Sequence, residues 1–313
     1  MEPLQQPINF LFSLVSYVWQ VLTFLLAIIN IKVLPFAWHF RIAYGYFGHY
    51  YFHRRPLLSS PASLPMLFQP TVYTTSNPPG ECDYNMHKSN STYLTDLDVA
   101  RGYHLYTLCR QGFDAYIAST KAENKGLFYP ALGGVTCTFK KEIKPWKQYE
   151  VWTRVLSWDE KWLYLVSHFV RSGAVKPAVY SDRPWEQTKQ RGTPRKSGVR
   201  VDDTKAKQEK EKDAGQPNIY ATALSKFVFK QGRRSVRPED FLRVSGLLST
   251  PCEHQGSTNV FTPCEVCDGV DADLDGIIER RRLDGLVVAS HMAGLDGASA
   301  YFSGHEDIAL AWY

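Results

Sequence analysis

The chain has 313 residues, a formal net charge of +5, and 44% hydrophobic and 21% charged residues, which is the balance of a globular protein with one main domain and appendages. Its Lys and Arg are scattered, with no basic stripe interleaved with aromatics, so a nucleic-acid partner is not expected; an anionic membrane surface is the better use of the surplus charge. A chain of this size needs no disulfide staples, and Cys82, Cys109 and Cys137 stand singly in patterned segments, which reads as reduced and mostly buried thiols.

Residues 8–31 contain no charged side chain. At helical rise they span roughly 36 Å, enough to cross a hydrocarbon core with some tilt. A basic n-region and a small-residue cleavage site are missing, so a retained anchor is expected in place of a signal peptide; the alternative is a buried helix of a soluble protein. Lys32, Arg41, Arg54 and Arg55 follow the run and no Lys or Arg precedes it, which predicts a single-pass membrane protein with its body facing the cytosol; the endoplasmic reticulum is the expected membrane. The stretch 35–56 is rich in Trp, Tyr, Phe and His and suits either the headgroup layer or packing against the domain.

Pro and Ser punctuate 56–65, a linker. Residues 67–77 have strand composition, and 91–120 carry apolar residues at helical spacing (Tyr93, Leu94, Leu97, Ala100, Tyr103, Leu108), with Ser91 or Asn90 as the cap. Strands are expected at 134–142, 149–158 and 161–171, the last two as a hairpin about Asp159 and Glu160. Polar residues of both charges over 172–217 predict a disordered insertion, after which 218–230 alternates as the strand completing the sheet and 238–248 forms a short helix. The expected organisation is an anchor and linker over 1–66, a domain over 67–248 and a C-terminal tail over 249–313.

Between the first strand and the long helix runs CDYNMHKSNSTYLTDLDVAR, 82–101. Its Asp83, His87, Asn90 and Tyr93 resemble the D-x-x-x-H-x-N-N-x-x-Y-L signature of hotdog-fold thioesterases, and the hairpin RVLSWDEKWLYLVSHFV resembles the matching strand pair of the membrane-anchored thioesterase-superfamily member 6 group and its fungal thioesterase-like relatives. The resemblance covers about 67–171 and 218–245. It implies an α+β hotdog fold, a long central helix wrapped by a curved antiparallel sheet, working as a homodimer with each acyl-thioester site between subunits. It assigns Asp83 the role of base or nucleophile, His87 a supporting polar role and Asn90 a positioning role.

The physical chemistry agrees: a carboxylate beside a helix N-terminus supplies an activated oxygen and stabilisation for an oxyanion. Lys88 and Tyr93 are the expected substrate contacts, Lys88 pairing with a CoA phosphate or else solvated, while Asp98 and Arg101 form a structural pair. Against this stands a reading in which Asp83 and His87 only bond the loop and cap the helix. The sequence departs from the signature at Lys88 and Ser89, which keeps a non-catalytic acyl-lipid binding or scaffolding protein as the alternative and a hotdog dehydratase as a third reading. No cofactor is expected and no P-loop, dinucleotide motif or nucleophile elbow is present.

In the tail, Cys252, His254, Cys264 and Cys267 offer zinc-type ligands at a spacing that matches no familiar finger, so unligated thiols are expected there. The segment 271–276, DADLDG, imitates an EF-hand start but has Arg282 at the twelfth position; a capped turn leading into a helix over 277–295 is expected.

Overall fold

The structure is a computed structural model that describes residues 5–52, 65–123, 126–175, 177, 218–249 and 269–297. Most of the expected insertion, most of the linker and the Cys252, His254, Cys264 and Cys267 cluster lie outside the described residues.

Helix α1 (Gln5–Ile29) contains the apolar run Phe10–Ile29, long and apolar enough to cross a membrane, with none of its length buried against the protein. A single 3-10 turn, Ile31–Val33, leads through Phe36, in the left-handed region, into α2 (Ala37–Tyr44) and a π-helical continuation, Gly45–Phe52. Of the two readings open for this aromatic stretch, packing against the domain is the one observed. Tyr46 meets Tyr106 at 5.2 Å between ring centroids, Tyr50 meets Phe113 at 6.4 Å, and a Cβ on Gly45 would lie 2.0 Å from the Tyr103 ring, so only glycine permits this approach. The opposite face keeps Phe36, Phe40 and Phe52 exposed.

The domain is one antiparallel sheet in the order β1-β3-β4-β5-β2 around a long helix: β1 (Thr71–Ser76), β2 (Phe128–Phe139), β3 (Gln148–Trp158), β4 (Leu163–Arg171) and β5 (Ile219–Gln231), with a short β6 (Arg234–Val236) beside β5. The expected hairpin is present. The Asp159 carboxylate accepts the Lys161 and Trp162 amides at 2.8 and 2.6 Å, and β3 and β4 pair from Tyr149↔Arg171 to Trp158↔Leu163 with one bulge between Val155 and Ser157. Strand β2 begins six residues before its expected start at Gly134. A bulge between Leu132 and Gly134 interrupts the alternation there, which is what hid the first half.

The helix expected over 91–120 is two: α3 (Asn90–Leu108) and α4 (Arg110–Glu123), broken at Cys109, whose φ of −104 and ψ of 22 leave the helical region. The break aims Phe113 at Phe241 of α5 (Pro238–Val244), 5.2 Å between rings. Helix α3 lies against the inner sheet face, and two apolar clusters flank a polar belt. Tyr93, Leu97 and Ala100 pack with Tyr149, Val151 and Phe169; Leu105 and Leu108 pack with Val155, Leu165, Phe227 and Phe229. Between them, Thr153 bonds Ser167 at 2.8 Å, Arg101 donates to Ser225 at 2.8 Å, and His104 faces Thr71 at 3.2 Å.

Helix α6 (Gly269–Asp296) covers the other sheet face, burying Ile278, Ala289 and Met292 while Ser157 donates to the Arg282 carbonyl at 2.6 Å. It begins earlier than expected, so 271–276 is helical and not a capped turn. Among the described cysteines, Cys109 is buried, whereas Cys82 and Cys137 are only half-buried.

Candidate active site

Pro79–Glu81 forms a 3-10 turn, an isolated bridge joins Cys82 to Lys88, and α3 starts at Asn90. The intervening loop closes on itself. The Asp83 amide donates to the His87 carbonyl at 2.9 Å, the Met86 amide to the Asp83 carbonyl at 3.0 Å, and Met86 takes a φ of 59 to complete the turn. Asp83 Oδ1 accepts the Asn85 amide at 2.9 Å, leaving Oδ2 3.6 Å from His87 Nδ1; His87 Nε2 lies 3.9 Å from Glu142. Asp83 and His87 are each about a quarter exposed, open enough for a ligand to reach and sheltered enough to strengthen their mutual attraction. Tyr84 and Met86 stand out at the loop tip, 93% and 62% exposed, an apolar lip beside the carboxylate.

Ser89, not Ser91 or Asn90, occupies the N-cap position of α3, and its side chain makes no bond to the first-turn amides; it meets Ser91 Oγ at 3.1 Å. Asn90 is the first helical residue and is exposed. The structure thus brings Asp83, His87 and the start of α3 into one loop.

The two expected substrate contacts are placed elsewhere. Lys88 is 1% exposed, neither solvated nor available to a phosphate: its ammonium reaches Glu81 at 2.6 Å and Asp96 at 3.0 Å. Tyr93 is 2% exposed, with its ring between Phe139 and Phe169 at 5.0 and 4.9 Å. Both corrections have one cause. Lys88 ends the bridge with Cys82 and Tyr93 lies on the α3 face turned to the sheet, so the fold directs both side chains inward. Asp98 and Arg101 pair on α3 as expected.

Beneath the loop lies a buried ion cluster that sequence reasoning missed. Asp96 receives Lys32 at 2.9 Å, Arg41 at 2.5 Å, Lys88 and the Tyr149 hydroxyl, while Glu81 receives Lys32 at 2.8 Å as well as Lys88. Burial alone would raise the Asp96 carboxyl, but the Lys88, Lys32 and Arg41 cations and the Tyr149 hydroxyl outweigh it and hold Asp96 well below the usual carboxylate range. The same burial, reinforced by the Asp96 and Glu81 charges, keeps the Tyr149 phenol protonated. One signal for this was readable: Asp96 falls on the buried stripe of α3 between Tyr93 and Ala100, where an acid requires partners.

Burial raises the Cys82 thiol, Cys137 to about 11 and Cys109 to about 12, so these residues are not thiolate nucleophiles at neutral pH. No group of three or more metal-ligating side chains occurs among the described residues. An open cleft of about 640 Å³ between the β3–β4 turn, α5 and α6 lies at the far end of β3 from Asp83, and its arginines are engaged by acids, Arg243 with Glu239 and Arg282 with Glu279.

A long helix in the embrace of a β1-β3-β4-β5-β2 antiparallel sheet, with a carboxylate–imidazole loop at that helix's start, defines a hotdog-fold protein. The model of the thioesterase-like superfamily matches residues 78–242, over half of the chain, and the chain belongs to that family. It is 33% identical over 311 residues to the probable thioesterase atnL of Emericella nidulans, covering 91% of each chain, and 31% identical over 287 residues to thioesterase poxG of Penicillium oxalicum, covering 90% of this chain and 86% of that one. Protein THEM6 of Xenopus laevis is 29% identical over 92 residues, 29% of this chain and 40% of that one. Among solved structures, the BH1999 gentisyl-coenzyme A thioesterase overlays 56% of this chain and 98% of its own with a TM-score of 0.32 at 14% identity.

Proposed function

We propose that the chain hydrolyses acyl thioesters, acyl-CoA or carrier-bound long-chain or polyketide acyl groups, at the cytosolic face of the endoplasmic reticulum membrane. The observation that carries this reading is the Asp83–His87 pair, 3.6 Å apart at the start of α3, within a chain of the thioesterase-like superfamily. Asp83 takes a proton from water as that water attacks the thioester carbon, or attacks the carbon itself to give a mixed anhydride that water then opens. The C–S bond breaks in either route, the thiolate leaves and is protonated, and the acyl group departs as the carboxylic acid. His87 orients the Asp83 carboxylate, and the Asn90 and Ser91 amides at the start of α3 polarise the thioester carbonyl, with the Asn90 side chain at the rim, while the Thr92 amide is taken by the Ser89 carbonyl at 3.0 Å.

The departure at Lys88 no longer argues against catalysis, because a lysine buried between Glu81 and Asp96 has a structural reason to be there. Support for an acyl substrate comes from the apolar lip Tyr84 and Met86 and from an apolar helix three residues before Lys32. Strand β2 forms the sheet edge, with Tyr129, Leu132 and Phe139 exposed along it; a second copy pairing there gives the homodimer that places two sites at one interface.

Incubating the full chain in phospholipid vesicles with a panel of acyl-CoAs of increasing length, while following free thiol, tests the reading. Thiol release that rises with chain length is expected. Tight acyl-ligand binding with no thiol release would replace it with a non-catalytic acyl binder, and loss of water from an added 3-hydroxyacyl-CoA to give an unsaturated thioester, without free thiol, would replace it with a dehydratase.

A further inference from the structure

The segment that leaves α1 and the loop that carries Asp83 are built on one another. Asn30 Oδ1 accepts the Gly80 amide at 2.7 Å, and a Cβ added to Gly80 would meet Val33 at 2.7 Å and Asn30 at 2.8 Å, so the 3-10 turn before the loop is seated on the exit of α1. Two residues on, Lys32 Nζ donates to the Ser76 carbonyl at 2.9 Å, to Glu81 Oε2 at 2.8 Å and to Asp96 Oδ2 at 2.9 Å, with Tyr149 Oη at 3.2 Å. Lys88 reaches the same two carboxylate oxygens. Glu81 and Lys88 flank the loop, one at each end, and Asp96 lies two turns into α3.

Four charges therefore alternate in a closed ring, Lys32–Glu81–Lys88–Asp96, in which each cation separates two buried carboxylates that would otherwise repel. Above the ring, the Asp83 carboxylate has only the Asn85 amide and His87 as neighbours within the loop. Its position relative to α3 is inherited from the ends of the loop.

We propose that Lys32, the first charged residue after α1, is a positioning residue for the Asp83–His87 loop: its ammonium holds Glu81 and Asp96 together and so keeps both ends of the loop in register with the start of α3. The functional half of this inference rests on the reading of that loop as a thioester site; the positional half does not. Its consequence is that the anchor segment is a component of the site, and that the loop is fixed at a set height above the residue where α1 ends.

Hydrogen exchange and turnover on the full chain in phospholipid vesicles test it together. Lys32→Met is expected to raise amide exchange across 82–89 by about tenfold while β3 and β4 keep wild-type protection, and Lys32→Arg to restore most of that protection. With a long-chain acyl-CoA, Lys32→Met is expected to lower kcat by about tenfold with KM changed less than about twofold, as displacement of a reacting group does. Unchanged exchange at 82–89 in folded Lys32→Met overturns the inference, and so does a rise shared equally by β3 and β4, which marks a general packing role. A wild-type chain that releases no thiol defeats the hydrolase reading alone, and the exchange measurement still decides the position of the loop. If Lys32→Met does not fold, Lys32→Gln, which removes the charge and keeps hydrogen bonding, is measured for the same local rise, and its absence overturns the inference equally.

Discussion

Asp96 is fully buried and touches three cations and a phenol, so its removal is the sharpest perturbation available at the level of one residue. Asp96→Asn leaves Lys32, Lys88 and Arg41 facing one another across Glu81 alone, and a loss of about 3–5 kcal/mol in chemical denaturation is expected. His104 gives the pH dependence. It is completely buried, and burial lowers its pKa from 6.5 to about 3. The folded state therefore keeps a neutral imidazole where the unfolded chain takes up a proton below 6.5, so stability is full above that pH and is lost as pH falls toward 3. At pH 5 the loss attributable to this group is about 2 kcal/mol, with His168 shifted in the same direction by burial, Arg154 and Lys140. His104→Gln should flatten the stability profile between pH 7 and pH 5 by about that amount. Asp96 acts in a separate window, since its depressed pKa places its loss below the ordinary carboxylate range of 3.8.

Among the elements, the β3–β4 hairpin was legible because β-rich runs flank Asp159, whose carboxylate binds two turn amides by purely local geometry. The division of α3 from α4 was not. Residues 91–120 keep helical spacing throughout, and the break at Cys109 answers to a distant partner, since a Cβ on Gly112 would lie 2.2 Å from Ser245 Oγ. Helix α6 shows the same dependence. Its sequence announces a helix, but only the structure shows Gly285 seated over β3, where a Cβ would come within 2.3 Å of the Leu156 carbonyl. Gly285→Val should lift α6 from the sheet and lower stability by about 1–3 kcal/mol in thermal unfolding. Gly294→Ala, at a position with open space around it, should be neutral or stabilising by up to about 1 kcal/mol.

At the scale of the whole molecule, the apolar run of α1 is unburied among the described residues, and membrane lipid is the partner proposed for it. The full chain should remain in the membrane pellet through an alkaline carbonate wash. Replacing Leu14, Val18 and Leu22, one face of α1, by Asp costs about 2.5–3.5 kcal/mol each at the bilayer centre and should move the chain to the supernatant.

Asp83 and His87 were readable because they and the helix they precede lie within a few residues of one another. The ion cluster was not, because Lys32 and Arg41 meet Asp96 across 64 and 55 residues, and in sequence they read as charges flanking an apolar span. What the structure adds is that the segment following α1 and the two ends of the Asp83–His87 loop share one buried network.

Whether Asp83 carries thioester cleavage is decided by the rate of thiol release from a long-chain acyl-CoA by the wild-type chain and by Asp83→Asn, both in vesicles. A fall in kcat of about 10²–10⁴-fold in a folded variant is expected for loss of a positioned base or nucleophile. Equal rates in the two proteins would show that the chemistry lies elsewhere.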